Sequence, residues 1–232
     1  MTGSPVRVFL DANVLAKPVT RTLLMVGGPP SGFRVVWSRT AEQEAVRHMR
    51  PGAIPPSEVR LRFGGTLGPT GEVAGRFAGT ADRDRQILAD AEMAGARFLI
   101  TEDVDDFAEQ DLASAGISAV NPDLFLSKRL TRAAYASVID LFVQRQVAPP
   151  TTRAEFHRAV ARQHPLLFAA HADLYEVAPY SSPHPAPRVC SEVRTHRMAI
   201  ELRLTSQLAQ GAGWQAGSSP RCRSQRLGLG TR

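Results

Sequence analysis

Four acidic residues, Asp11, Glu44, Asp84 and Asp103, combine a reactive side-chain type with a suggestive placement. Asp11 closes the apolar run VRVFL. Glu44 lies between Ala41 and Ala45. Asp84 opens the stretch leading into ILADA, and Asp103 follows Thr101 by two residues. In an open α/β sheet, ligands gather at the carboxyl ends of the strands, which is where Asp11 and Asp103 fall. Carboxylates from four chain segments would repel one another in one pocket. At ~4 Å and an effective dielectric near 20, each like-charged pair costs on the order of 4 kcal/mol. Convergence therefore calls for a cation between them. The all-oxygen donor set, without a His or Cys cluster, suits a hard divalent ion rather than zinc. Magnesium in such a site activates water, orients a phosphate and stabilises the leaving oxygen, the chemistry of nucleases and phosphatases.

Each acid also has an ordinary alternative. Asp11 can be a helix cap, as can Asp82 or Asp84 ahead of ILADA, and those two compete for one role. Glu42 and Glu44 share a helix. Asp103, Asp105 and Asp106 share a loop, so at least one of the three is expected to be only surface. His48 near Glu44 is read as a surface histidine and Trp37 as core. Arg47, Arg50, Arg83 and Arg85 flank the acids and are the available phosphate contacts, with a solvated helix face as the plainer role.

The elements that must position these residues follow from hydrophobic pattern. VRVFL (6–10), FRVVW (33–37), RFLIT (97–101) and ISAV (117–120) read as short buried strands. A helix is expected to begin near Asp11 or Asn13. Another, capped by Ser38 or Thr40, runs through TAEQEAVRHM and stops at Pro51. ILADAEMAGA has helical spacing and Gly95 to end it; a short helix over 108–115 ends at Gly116; Asn121-Pro122 starts a helix over PDLFLSKRL. Residues 51–80, rich in Pro and Gly, read as a long irregular connection. The alternation of strands and helices predicts an α/β fold, a parallel sheet with helices on both faces. Two further helices are expected, over 131–146 and from Thr152, where Thr152 and Glu155 have capping-box spacing, to about 163. The expected organisation is a domain over 1–130, a helical extension over 131–177 and a disordered tail over 178–232.

The chain has 232 residues and 43% hydrophobic content, enough for a sizeable core. Its net charge of +6 belongs to the tail: residues 178–232 hold eight Arg against Glu192 and Glu201, and the rest is neutral. No apolar run approaches the roughly 18 residues of a membrane span, and the first residues lack a signal-peptide layout. Cys190 and Cys222 alone make neither a disulfide framework nor a zinc signature. A cytoplasmic protein is expected.

The segments VFLDANVL, VVWSRTAEQEAVRHM, DRDRQILADAEMAGARFLITEDVDDF and ISAVNPDLFL together resemble a PIN domain, of the kind found in VapC-type toxin ribonucleases. The resemblance covers about residues 6–126, and the helices to about 177 are similar to an extension in some bacterial members. It implies a three-layer α/β/α fold with a central parallel sheet and Mg²⁺ or Mn²⁺ in the acidic cleft. The implied activity is endonucleolytic hydrolysis of RNA, leaving a 5′-phosphate. Asp11, Asp84 and Asp103 would ligate the metal, Glu44 would hold or activate the attacking water, and Asn13, Thr101 and Asp106 would support the site. Toxin members pair with a small antitoxin and often dimerise. The Pro/Gly-rich 51–80 segment and the basic tail depart from the family pattern. Two alternatives stand beside this expectation: a PIN-like scaffold that binds RNA or a partner without cutting, and an acid-cleft phosphohydrolase acting on small esters. Asn13 counts against the second, because a haloacid-dehalogenase-type site needs an Asp there.

Overall fold

The computed structural model describes residues 4–63, 67–146 and 150–176. The tail over 178–232, with both cysteines, lies outside the described residues. The first strand, β1 (Val6–Leu10), is apolar and β-branched, and Val8, Phe9 and Leu10 are fully buried. Asp11 then turns the chain into the single-turn helix α1 (Ala12–Leu15), and Pro18 at the first position starts α2 (Pro18–Gly27). Strand β2 (Phe33–Val36) follows, and the Ser38 hydroxyl accepts the Ala41 N–H to cap α3 (Arg39–His48). Next come α4 (Pro56–Phe63), α5 (Arg85–Met93), β3 (Phe98–Ile100), α6 (Glu109–Ala115) and β4 (Ser118–Val120). The described chain ends with α7 (Pro122–Arg129), α8 (Arg132–Arg145), α9 (Arg153–Val160) and α10 (Pro165–Ala170).

The strands form one all-parallel sheet in the order β2-β1-β3-β4. Because β1 connects first to one neighbour and then to the other, the topological switch lies between β1 and β3. Helices cover both faces. Phe125 of α7 packs edge-on against Phe33 of β2, with ring centroids 5.1 Å apart, and against Phe98 of β3 at 5.5 Å. On the other face, Arg7 of β1 donates to the carbonyl of Ala94 at the end of α5. The helices beyond residue 130 share the same core: Tyr135, Val138, Ile139, Val160 and Leu167 belong to one buried cluster with the strands. Gly27 of α2 lets α7 and α8 close in, since a Cβ there would sit 2.4 Å from Leu130 and 3.6 Å from Val138.

The 51–80 segment corrects the expectation of an irregular connection. It contains α4, begun by a proline and held to α3 by Arg60, whose Nε lies 3.2 Å from Glu42. Beyond it the chain bridges Trp37 at Leu67 and is pinned to α5: Gly71 N–H donates to the fully buried Asp90 carboxylate at 2.7 Å. A Cβ at Gly71 would meet the Ala89 backbone at 2.4 Å, so the close approach depends on glycine. The helices α2 and α10 also depart from the expected elements; each starts at a proline after a short turn, where periodicity is interrupted.

The C-terminal helices are attached through buried histidines. The His164 Nε2 lies 2.9 Å from the Thr20 hydroxyl on α2, and the His157 Nδ1 lies 2.8 Å from the Tyr135 hydroxyl on α8. The Asp123 carboxylate of α7 accepts the N–H groups of Leu166 and Leu167, both at 2.9 Å, fixing the start of α10. Burial, with the neighbouring His171, pushes His157 down to about 4; burial, with Lys17, does the same to His164. Both are neutral when folded, so unfolding takes up protons below the ordinary value near 6.5. Their contribution is full above pH 6.5 and is lost as the pH falls from there toward 4. Urea denaturation across that window should show stability falling on acidification, and the fall should be shallower in His157→Phe; parallel curves would contradict this.

Candidate active site

The site is built where the switch point opens, at the carboxyl edge of β1 and β3. Asp11 is buried, 6% exposed. Its extended backbone (φ −75°, ψ 162°) aims Oδ1 at the Ala12 N–H, 2.6 Å away, so it does cap α1. Its other oxygen, Oδ2, accepts the Thr101 hydroxyl at 2.7 Å. That hydroxyl in turn accepts the Asn13 side-chain N–H and the Asp103 backbone N–H, both at 3.1 Å. One donor and two acceptor positions exhaust a hydroxyl, so Thr101 is saturated. Asn13 completes the network by donating to Asp103 Oδ2 at 3.1 Å and accepting the Glu102 N–H at 3.3 Å. Asp11, Asn13, Thr101 and Asp103 thus form one hydrogen-bonded unit joining β1 to β3.

Asp84 and Glu44 reach the same unit through charge. Burial raises the Asp11 carboxyl to about 6 against the lowering effect of its Thr101 and Ala12 bonds, and the negative charges of Asp84 and Glu44 raise it further. Asp84 is raised in the same way: burial is the main cause, the Arg83 guanidinium opposes it, and Asp106 and Glu44 add to it. The residue precedes α5 but caps nothing with its side chain. Arg83, on a 70% exposed side chain, bridges Asp84 at 3.2 Å and Asp106. Among the described residues, it is the one guanidinium bonded to members of the cluster.

The neighbours that compete in sequence separate here. Asp82 has an 87% exposed side chain and pairs with Arg85 at 2.7 Å. Glu42 accepts the Trp37 indole N–H at 2.9 Å and the Arg60 guanidinium, so it serves packing rather than the cleft. Trp37 itself is fully buried. Asp103 and Asp106 both belong to the acidic group, the first through Asn13 and the second through Arg83. Of the flanking arginines, Arg83 is engaged by acids, and Arg85 by Asp82 and the carbonyls of Thr80 and Ala78 at 3.0 Å, which removes both as unpaired phosphate contacts. Lys17, which sequence patterns do not single out, pairs with Glu102 beside the network. Its place at the α1–α2 turn is the one signal the sequence offers.

Among the described residues, no three His, Cys, Asp or Glu side chains are gathered closely enough to hold a metal ion as they stand. The donor chemistry of Asp11, Asp84, Asp103 and Glu44 is nonetheless oxygen only, and the Asp11 and Asp84 carboxyls are raised by burial first, with the neighbouring acids adding to it. No family model matches this chain, and neither a curated protein nor a solved structure does.

An Asp raised above its unfolded value stabilises the fold below that value, and this is lost as the pH climbs through about 6. At pH 7.5 the ionised Asp11 therefore destabilises the fold. Asp11→Asn removes the charge but turns one accepting oxygen into a donor that faces the Ala12 N–H or the Thr101 hydroxyl, so the pH dependence is the readout. In EDTA, wild type should lose up to about 3 kcal/mol relative to the variant between pH 4 and pH 7.5. Urea melts of the two proteins across that range check this; a stability difference that does not change with pH would contradict it.

Proposed function

We propose that this protein is a PIN-like, metal-dependent endoribonuclease that hydrolyses RNA phosphodiester bonds, acting as the toxin of a toxin–antitoxin pair. The observation that carries this is the Asp11–Thr101–Asn13–Asp103 unit at the switch point, within the electric field of Asp84 and Glu44. Carboxylates brought to one sheet edge from separate segments are a destabilising arrangement for a fold to keep without a use. The parallel sheet with helices on both faces agrees with the three-layer expectation.

Mg²⁺ or Mn²⁺ fits the donor set, with Asp11, Asp84 and Asp103 as the residues that would hold it. A bound divalent ion supplies Lewis acidity and an activated water. The chain's own residues do the rest. Thr101 orients Asp11 by donating to Oδ2, and Asn13 orients Asp103 by donating to its Oδ2, so two ligand carboxylates are fixed by neutral partners. Glu44, half-buried on α3, would take the proton of the attacking water. Arg83 is held by Asp84 and Asp106, so it would reach the non-bridging oxygens of a phosphate only on leaving those acids. A small antitoxin would act by covering this edge, and a homodimer is compatible with it.

A second reading has one observation behind it. Arg83 already bonds Asp84 and Asp106, a partial neutralisation by the chain itself that suits a scaffold binding RNA or a partner without cutting. Cleavage decides between them. Purified protein should cut single-stranded RNA with Mg²⁺ or Mn²⁺ and stop in EDTA. Asp11→Asn, Asp84→Asn and Glu44→Gln should lose at least ~10²-fold in rate, and Thr101→Val, which removes the hydroxyl that holds Asp11, Asn13 and the Asp103 N–H, about 10- to 100-fold. Cleavage that persists in EDTA, or that survives Asp11→Asn, would overturn the nuclease mechanism; no cleavage under any metal would favour the scaffold.

A further inference from the structure

The opposite edge of the sheet carries a row of arginines. Arg7 and Arg34 are in-register partners on β1 and β2. Arg97 immediately precedes Phe98, the partner of Val8, and donates its backbone N–H to the Arg7 carbonyl at 3.0 Å, which continues the row onto β3. In-register neighbours on adjacent strands project from the same face, and strands lie about 4.8 Å apart, so three guanidinium groups are rooted within about 10 Å. All three residues are exposed. None of the ion pairs among the described residues includes any of them. Arg7 commits one donor to the carbonyl of Ala94, at the end of α5.

A fourth arginine crowds this row. Arg129, in the last position of α7, is half-buried with its Nε unpartnered, and its guanidinium is held below the ordinary arginine range by burial and by the charge of Arg97. Next to Arg97, an open cavity of about 350 Å³ runs between Gly95, Gly116 and Ser118. Its one carboxylate, Glu92, is already bonded to Arg76. Like charges gathered without counter-ions are the mirror image of the acidic edge.

We propose that this amino edge is a phosphate-backbone docking surface for single-stranded RNA. Arginine forks match phosphate oxygens bidentately, and a linear row suits a linear polyanion better than a lone ion. The strands expose no large apolar side chain there, and Met93 beside Ala94 is exposed singly, which is ordinary for a surface and is no cluster of the kind a protein interface centres on. With β1 five residues long, the two edges are about 17 Å apart, a span that a few nucleotides bridge. The edge shares its ligand with the proposed nuclease function but not its chemistry, so the two can fail separately.

The test is fluorescence anisotropy of a labelled, unstructured 15-nucleotide RNA with the full chain, in EDTA so that no cleavage intervenes, across a salt series. Arg34→Ala/Arg97→Ala leaves Arg7 to cap α5. It should weaken binding and flatten the plot of log Kd against log salt by about 1.4, roughly 0.7 for each phosphate no longer neutralised. Arg145→Ala/Arg158→Ala removes the same charge from exposed sites on α8 and α9 and should leave the slope unchanged. A slope unaltered by the first pair, or reduced equally by the second, would overturn the proposal. So would a poly-glutamate peptide that displaces the RNA charge for charge, which would assign the edge to an acidic protein instead.

Discussion

The candidate site depends on one buried carboxylate. Asp11 sits at the end of the central strand with almost no exposure, and burial alone would favour its neutral form. The fold answers with two donors, the Ala12 N–H and the Thr101 hydroxyl, which hold both oxygens without cancelling the charge. Neutral donors orient a carboxylate; a salt bridge also neutralises it in part. That difference separates Asp11 from Asp84, Glu42, Asp82 and Asp140, each bonded to an arginine. The Thr101 hydroxyl is saturated by its contacts to Asp11, Asn13 and Asp103, so none of the four side chains is free to rotate independently of the others. Asp84 and Glu44 then act on a partner whose position is already fixed.

Much of this is legible in sequence because strand ends are local features. The four strands appear within one residue of their expected bounds, and Ser38, Asn121, Thr131 and Thr152 cap the helices as their types and spacing imply. The capping box at Thr152 and Glu155 is present with both of its bonds. What sequence does not separate are acids close together on one segment. Glu42 and Glu44 differ only in what the rest of the fold brings near them: Trp37 and Arg60 reach Glu42, and the field of Glu44 reaches Asp11. Likewise, Asp82 and Asp84 are distinguished by Arg85, a neighbour in the chain whose orientation is set by the carbonyls of Ala78 and Thr80. The helix α4 escapes notice for a different reason. Its apolar residues follow no strong stripe: Pro56 and Val59 are buried while Leu61 and Phe63 stay exposed, so its place rests on that narrow apolar contact together with Arg60.

The arginine row shows the same limit from the other side. VRV, FRV and ARF each place an arginine at the start of a strand, which in isolation is an ordinary polar residue before an apolar run. Only the order β2-β1-β3 turns three separate residues into neighbours, because the two pairings of β1 set both registers at once. A parallel sheet has distinct amino and carboxyl edges, and every strand presents the same end to the same side. Residue choices repeated at equivalent strand positions therefore add instead of alternating. In this chain the repetition places carboxylates after β1 and β3 and arginines before Val8, Val35 and Phe98, giving the sheet a charge polarity along the strands. Helix dipoles do not account for the arginine edge: only Arg7 among the three bonds a helix-terminal carbonyl, and Arg129 is crowded by Arg97 rather than drawn to an acid. A polyanion that meets both edges would be attracted along the row and repelled at the carboxylates unless a cation intervenes there. Under that arrangement, binding strength resides at the amino edge, and the metal requirement resides at the carboxyl edge.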